Sequence, residues 1–213
     1  MKAQFILELF INKLKSELQK PLPGTAAQYL MAPVTRPKTD IENLTPDQYR
    51  PSAVLILFCK DENDNLFIPL TERIAYKGVH SAQISFPGGK YEKEDGDLEH
   101  TALRECFEEI GLRDNIEVIG KLTRLFIPVS SFLVEPYVTF CTLKNPVIVG
   151  QEREVKSIVK LSIEKLLDEN GVEHGTVETT DYKIKTPYFL VEGHKIWGAT
   201  AMILSELKTL LSR

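Results

Sequence analysis

The chain has 213 residues, 43% of them hydrophobic, which is enough to bury the core of one domain. A formal net charge of -4 and a pI near 5.7 argue against a nucleic-acid partner, because a polyanion is bound by clustered positive charge. Cys59, Cys106 and Cys141 are widely spaced and form no CxxC pair, which indicates free thiols and a cytoplasmic location.

The first 50 residues are predicted to precede the main domain, which we expect to span residues 51–213. An apolar stripe at helical spacing predicts an N-terminal amphipathic helix that ends before Pro21: Ile6, Phe10, Leu14 and Leu18. We expect this helix to pack on the domain or against a second copy of the chain, as in a homodimer. No run reaches membrane-spanning length, so no membrane partner is expected. A proline-rich connecting segment follows the helix, up to Pro51.

The remaining residues alternate between strand-like and helix-like runs, which predicts an α/β (α+β) domain. A continuous apolar strand at 52–60 is followed by a turn and by a second strand that starts at residue 66, so the two form a hairpin. Further strands are predicted at 116–124, 135–143 and 155–161, with a second hairpin within 172–191. A short helix is expected at 162–168, and an apolar helix closes the chain.

The stretch from residue 85 to 112 contains the clearest chemical pattern. The Gly88-Gly89 turn leads into an acidic loop and then into a helix that carries Glu105, Glu108 and Glu109. At helical spacing these carboxylates lie on one face, where like charges repel unless a cation compensates them. Oxygen ligands without nearby His or Cys favour magnesium, manganese or calcium over zinc. A solvated acidic face is the alternative interpretation.

Neighbouring residues favour the metal-site interpretation. Gly88 and Gly89 would let the backbone approach a ligand, and a carbonyl oxygen there could join the metal shell. Arg104 lies four residues before Glu108 and could orient that carboxylate. Gly111 follows the last helical residue and predicts the end of the helix in the left-handed conformation.

This stretch resembles the Nudix box, in the positions of Arg104, Glu105, Cys106, Glu108, Glu109, Gly111 and Leu112. The distance from Gly89 to Arg104 is one residue longer than in the general pattern, so Glu94 and Asp95 are both candidates for the loop acid. The longer loop is similar to that of the coenzyme A pyrophosphatase branch of Nudix hydrolases. The preceding residues Leu70 to Arg73, His80 and Phe86 to Gly89 partly match the signature of that branch, with departures at Pro69, Lys77-Gly78 and Ala82.

The resemblance implies a Nudix-type α/β/α sandwich with a mixed central sheet. It also implies that Glu105, Glu108 and Glu109 bind Mg²⁺ or Mn²⁺, and that Glu154 is a further ligand or the general base, unless Glu154 is a solvated loop residue. Arg73 is expected to contact phosphate or to pair with a nearby carboxylate. His80 would contact the substrate or hold its loop in place.

The expected substrate is a small nucleotide. The resemblance favours coenzyme A or acyl-coenzyme A, cleaved to 3',5'-ADP and (acyl-)4'-phosphopantetheine. Another nucleoside diphosphate-linked compound, such as ADP-ribose, is the alternative within enzymes. A nucleotide-binding module without catalysis is a third candidate, which the presence of all three box glutamates disfavours.

Overall fold

A computed structural model describes residues 2–74, 83–178 and 183–213, with side chains from residue 7 onward. Two sheets are formed by eleven strands, counted over these residues. The bounds of the strands are β1 Arg50–Lys60, β2 Leu66–Arg73, β3 Ile84–Ser85, β4 Gly88–Lys90, β5 Ile116–Lys121, β6 Leu125–Ile127, β7 Phe132–Lys144, β8 Val155–Ser162, β9 Val172–Glu178, β10 Lys183–Val191 and β11 His194–Ile196.

Helices flank the sheets and connect them. Their bounds are α1 Lys2–Leu18, α2 Gly24–Gln28, α3 Leu98–Ile110, α4 Ile163–Leu167 and α5 Gly198–Leu211. Short 3₁₀ turns lie between them, including Pro46–Gln48, where the sequence predicts a short helix after Thr45. Within the described residues, no helix is both long and apolar enough to cross a membrane.

The larger sheet is mixed and is centred on β1. This strand pairs in parallel with β7 and antiparallel with β2 and β4. β8 extends the sheet beyond β2, and β5 and β6 extend it beyond β7. β9, β10 and β11 form a separate antiparallel sheet. The predicted mixed central sheet is therefore confirmed.

The residues of β1 alternate between two cores, which explains why the strand is apolar along its whole length. Leu55 and Leu57 pack on the side of α3, together with Cys106 and Ile110. On the opposite side, β1 contributes to a core that includes α5 residues such as Leu204. Helices thus cover both faces of the central sheet, which gives the predicted α/β/α sandwich.

The segment before β1 also packs on the domain. Leu14 of α1 and Met31 are buried in the same core as α5. The Gln28 side chain donates to Glu206 on α5 at 2.8 Å. The division of the chain at residue 50 into two parts stays a prediction, as does dimer formation.

Candidate active site in the cleft beside α3

The Gly88-Gly89 pair brings β4 into close contact with both β1 and α3. A Cβ atom at Gly88 would overlap the backbone of Ala53 and Val54, and one at Gly89 would overlap the carboxylate of Glu105. Only glycine therefore fits at these positions without displacing its neighbours. The pair allows a glutamate of α3 to lie directly against the strand.

α3 ends where its sequence predicts. The Asp97 side chain accepts a hydrogen bond from the His100 amide and caps the N-terminus. Gly111, with φ of 75°, ends the helix in the left-handed conformation, as predicted, and donates to the Phe107 carbonyl. The Phe107 side chain lies on the outer surface of the helix, with 45% of it exposed.

Arg104 connects the acidic loop to the glutamates of α3. Its Nε donates to Asp95 at 2.6 Å, and its Nη1 donates to Glu105 at 3.0 Å and to Glu108 at 2.9 Å. Its Nη2 donates to the Lys90 carbonyl at 3.1 Å. One planar guanidinium therefore sets the positions of two neighbouring helix carboxylates relative to β4.

Asp95 is the loop acid that the structure places against this arginine. Its carboxylate also accepts from the Glu92 amide at 2.9 Å and from the Thr101 hydroxyl at 2.8 Å. Hydrogen bonding by Arg104 is the main cause that lowers the pKa of Asp95 well below its ordinary range. Of the two candidates, Asp95 and Glu94, it is thus Asp95 that pairs with Arg104.

Glu109 is the most buried acid of α3, with 1% of its surface exposed. Its carboxylate accepts from Arg73 Nη2 at 3.0 Å, and the same nitrogen donates to the Gly88 carbonyl at 3.1 Å. Burial raises the pKa of Glu109 to about 7, although the Arg73 charge opposes this rise. A second cation near this carboxylate would favour its ionised form.

Glu105 has a similar but weaker perturbation. Burial raises its pKa, and the charge of Arg104 opposes the shift. Glu108 differs from both, since half of its side chain is exposed and its carboxylate accepts a hydrogen bond from Arg104. The three carboxylates of the helix therefore occupy three different environments.

Glu154 reaches the same region from the loop before β8. The Gln151 amide donates to the Glu109 carbonyl at 2.9 Å, and the Glu154 amide donates to the Gln151 carbonyl at 2.9 Å. These bonds fasten the loop to the end of α3. The negative charge of Glu154 is close enough to contribute to the raised pKa of Glu109.

These groups line one cleft with a volume of about 490 Å³. Its polar part contains six of the predicted site residues: Arg73, Gly88, Gly89, Glu105, Glu109 and Glu154. Its other walls are largely apolar and come from β6, β7, the start of α5 and the proline-rich segment, for example Ile127, Pro128, Phe132, Ile203 and Pro33. A charged group and an apolar group of one ligand could both be accommodated.

Three predicted site residues do not line this cleft or cannot be placed. Arg104 and Glu108 are absent from its lining, and they lie behind it in the network with Asp95. His80 lies outside the described residues, as do Lys77-Gly78 and Ala82. Glu105, Glu109 and Glu154 are brought together, whereas the predicted convergence of Glu108 on the same point is not seen.

The donor set of the cleft suits a hard divalent cation, because it supplies carboxylate and backbone carbonyl oxygens. Within residues 2–74, 83–178 and 183–213, however, no three His, Cys, Asp or Glu side chains are grouped closely enough to hold an ion as they stand. The reason is visible at Glu109 and Glu105, which are paired with Arg73 and Arg104. A cation would compete with Arg73 for the Glu109 carboxylate.

Two contributors to the cleft were not expected from the sequence. Trp197, just before α5, lines the cleft, while its neighbour Ile196 is buried in the core. Arg36 of the proline-rich segment also lines it. A single arginine between prolines forms no recognisable sequence pattern. Its place in the cleft is therefore seen only from the way this segment packs on the domain.

Comparisons with known proteins agree with this geometry. The NUDIX domain family model matches residues 49–179. The chain is 30% identical over 166 residues to "Nudix hydrolase 15, mitochondrial" of Arabidopsis thaliana, which covers 75% of this chain and 58% of the relative. It is 30% identical over 155 residues to "Mitochondrial coenzyme A diphosphatase NUDT8" of Homo sapiens, with 71% of this chain and 65% of the relative covered. The chain thus spans less than two thirds of these relatives.

A bacterial relative and a solved structure are covered more completely. "Uncharacterized Nudix hydrolase NudL" of Yersinia pestis is 31% identical over 160 residues, which cover 74% of this chain and 78% of the relative. The crystal structure of a MutT protein from Methanosarcina mazei Go1 superposes with a TM-score of 0.51 at 16% identity, over 80% of this chain and 99% of that chain. At this identity the superposition supports the fold.

Proposed function

The chain belongs to the NUDIX domain family, and on that premise we propose that it hydrolyses a pyrophosphate bond in a nucleoside diphosphate derivative. The observation that carries the proposal is the shared cleft of Glu105, Glu109, Glu154 and Arg73 beside the Gly88-Gly89 turn. It combines oxygen ligands for a cation, a guanidinium for phosphate and a carboxylate that could accept a proton.

A divalent cation, Mg²⁺ or Mn²⁺, would neutralise phosphate charge and lower the pKa of an attacking water. Glu105 and Glu109 are the proposed ligands, because both are largely buried and line the cleft. Glu108 stays a prediction as a ligand, since its half-exposed carboxylate is bound to Arg104. Arg104 is a positioning residue that holds Glu105 in place.

Arg73 would bind a phosphate of the substrate, which would replace part of its present contact with Glu109. In the structure the guanidinium is 28% exposed and donates to both Glu109 and the Gly88 carbonyl. A phosphate oxygen could take over part of this donor capacity, because the guanidinium has five N–H groups in a fixed plane. Glu154, which lines the same cleft, would accept the proton of the attacking water.

Coenzyme A or an acyl-coenzyme A is the substrate that we favour. The support is the resemblance of residues 70–89 to the signature described above and the name of the human relative, a coenzyme A diphosphatase. The apolar walls of the cleft are suited to the pantetheine arm. The products would be 3',5'-ADP and (acyl-)4'-phosphopantetheine. The cytoplasmic location stays a prediction, because two relatives are named mitochondrial.

Product analysis tests this proposal. The protein is incubated with Mg²⁺ or Mn²⁺ and, separately, with coenzyme A, an acyl-coenzyme A and ADP-ribose, and the products are identified by mass spectrometry. We expect 3',5'-ADP from coenzyme A and loss of turnover with excess EDTA. Cleavage of ADP-ribose alone would overturn the substrate assignment, and cleavage of none of the three would contradict the proposed hydrolase activity on these compounds.

A further inference from the structure

The proline-rich segment before β1 carries a cation that lines the candidate active site. Arg36 lies between Pro33 and Pro37, and all three residues line the same cleft as Glu105 and Glu109. The segment is held against the domain by a bond from the Val34 amide to a carbonyl of β10 at 3.3 Å. Prolines restrict the backbone, so the position of Arg36 is set by a stiff segment.

Arg36 lacks the carboxylate partner that the other two site arginines have. Its guanidinium donates to the Phe126 carbonyl and contacts the Tyr29 hydroxyl, both uncharged groups. Over the described residues, no Asp or Glu forms an ion pair with it, and its buried Nε has no hydrogen-bond partner. Burial disfavours its charge, and its pKa is lowered accordingly.

A partly buried guanidinium without a counter-ion is unfavourable in the empty protein. Arg73 and Arg104 show the usual solution, since each is neutralised by carboxylates at 3.0 Å or less. Arg36 lines the cleft, so a ligand bound there could supply the missing negative charge. An anionic ligand would neutralise the guanidinium.

We propose that Arg36 is a specificity-determining residue that binds a phosphate group of the substrate, supplied from outside the region that the family model matches. The inference rests on the proposed function, because it assumes a phosphorylated ligand in this cleft. Guanidinium groups suit phosphate, since their planar donors can bind two oxygens at once. The phosphate is either the one at the 5' position of the nucleoside, which belongs to the scissile pyrophosphate, or a further one on the nucleoside.

Binding without turnover tests the inference independently of catalysis. Calorimetric titrations use adenosine 3',5'-bisphosphate, AMP and adenosine with the wild-type chain and with Arg36→Gln, Arg36→Lys and Lys38→Gln. Lys38→Gln is the matched control, because it removes the same charge two residues away from an exposed side chain that does not line the cleft. Thermal unfolding of each variant checks that the fold is retained.

We expect Arg36→Gln to weaken binding of the bisphosphate by about 10- to 100-fold, as for the loss of a charge-assisted hydrogen bond. Arg36→Lys should recover part of the loss, and neither Lys38→Gln nor adenosine binding should change. An equal loss for AMP would assign Arg36 to the phosphate that both ligands carry at the 5' position. A loss confined to the bisphosphate would assign it to the additional 3' phosphate.

Unchanged bisphosphate binding in a folded Arg36→Gln chain would overturn the inference, as would an equal loss for adenosine. Hydrolysis by the same wild-type preparation is measured in parallel with Mg²⁺. Absence of hydrolysis alone contradicts the proposed function, whereas absence of an Arg36 effect on binding contradicts only this inference. In an active chain, Arg36→Gln should raise KM by a similar factor and change kcat by less than about 3-fold, because the contact serves binding.

Discussion

Glu109 on α3 and Glu206 on α5 are both nearly inaccessible to solvent, at 1% and 0% exposure. Glu206 accepts hydrogen bonds from uncharged donors: Gly24 N at 3.1 Å, Gln28 Nε2 at 2.8 Å, and Thr123 N at 3.3 Å and Oγ1 at 2.6 Å. Glu109 lies against a cleft and is neutralised by an arginine. One carboxylate fastens the N-terminal segment to the domain, and the other faces a ligand-sized space.

The difference shows that burial of an acid does not by itself mark a functional site. At Glu206 the donors come from α2 and from Thr123, two parts of the chain far from α5 in sequence, so the carboxylate acts as a junction. At Glu109 the partner is another functional candidate, Arg73, which can exchange the carboxylate for a ligand. The surroundings of a buried acid, rather than its burial, therefore separate scaffold from site.

The largest effect is expected at Glu109. Glu109→Gln should lower turnover by about 10²- to 10⁴-fold, the range of an essential carboxylate, while the protein stays folded. Steady-state hydrolysis and circular dichroism measure the two properties. Glu99→Gln, on the same helix but outside the cleft, is the control and should retain turnover. Unchanged turnover in Glu109→Gln would remove this residue from the site.

Glu206→Ala should give the converse result. Loss of the junction leaves the Thr123 and Gln28 donors buried without an acceptor, so the free energy of unfolding should fall by about 3 kcal/mol or more. Turnover measured well below the melting temperature should stay within about 2-fold of wild type, because the side chain does not line the cleft. Denaturant unfolding measures the free energy of unfolding. A loss of turnover without a loss of stability in Glu206→Ala would contradict the structural role of Glu206.

The raised pKa of Glu109 should make the stability of the protein depend on pH. Its folded pKa, about 7, lies above the ordinary value of 4.5, so between these values the folded chain binds more protons than the unfolded chain. The contribution is therefore present below about pH 4.5 and is lost as pH rises to 7. Without metal, its full size is about 3 kcal/mol for a shift of this order.

Chemical denaturation at pH 5 and pH 7 in EDTA measures this loss for wild type and for Glu109→Gln. In Glu109→Gln the free energy of unfolding should change less between pH 5 and pH 7 than in the wild type, because glutamine does not titrate. Equal slopes in the two proteins would show that the carboxylate is not titrating in this window.

The smallest expected effects come from one threonine beside each acid. Thr123→Val removes a hydroxyl bonded to Glu206 at 2.6 Å and should cost about 1–2 kcal/mol of unfolding free energy. Thr71→Val removes a longer contact of 3.5 Å to Glu109 and should cost less than about 1 kcal/mol. Thermal unfolding measures the loss of stability in both variants. A larger loss for Thr71→Val than for Thr123→Val would contradict the expectation that the threonine hydroxyl contributes more beside Glu206 than beside Glu109.

The fold was predictable where the signal is local. The apolar run of β1 and the periodic residues of α1, α3 and α5 each identify an element from consecutive residues. The short strands β3, β4, β6 and β11 were not predicted, because two or three residues carry no alternation. The predicted strand at 116–124 ends at Lys121, since the chain turns there before it starts β6.

In the candidate site, the sequence could place Arg104 near Glu108 because four residues make one helical turn. It could not separate Glu94 from Asp95, because the choice depends on which loop side chain reaches Arg104. It also could not show that Glu108 points away from the cleft while Glu105 lines it. That difference follows from the contact of α3 with the glycines of β4.

The sequence by itself determined the family, the chemistry of the donor set and the C-terminal end of the helix that carries it, because all three are encoded in residue types at short, regular spacing. The tertiary structure decided which acids share a cleft, that Arg73 pairs with Glu109, and that Arg36 lines the same space. These contacts join residues far apart in the chain, and no local spacing records how β1, α3, α5 and the proline-rich segment pack together.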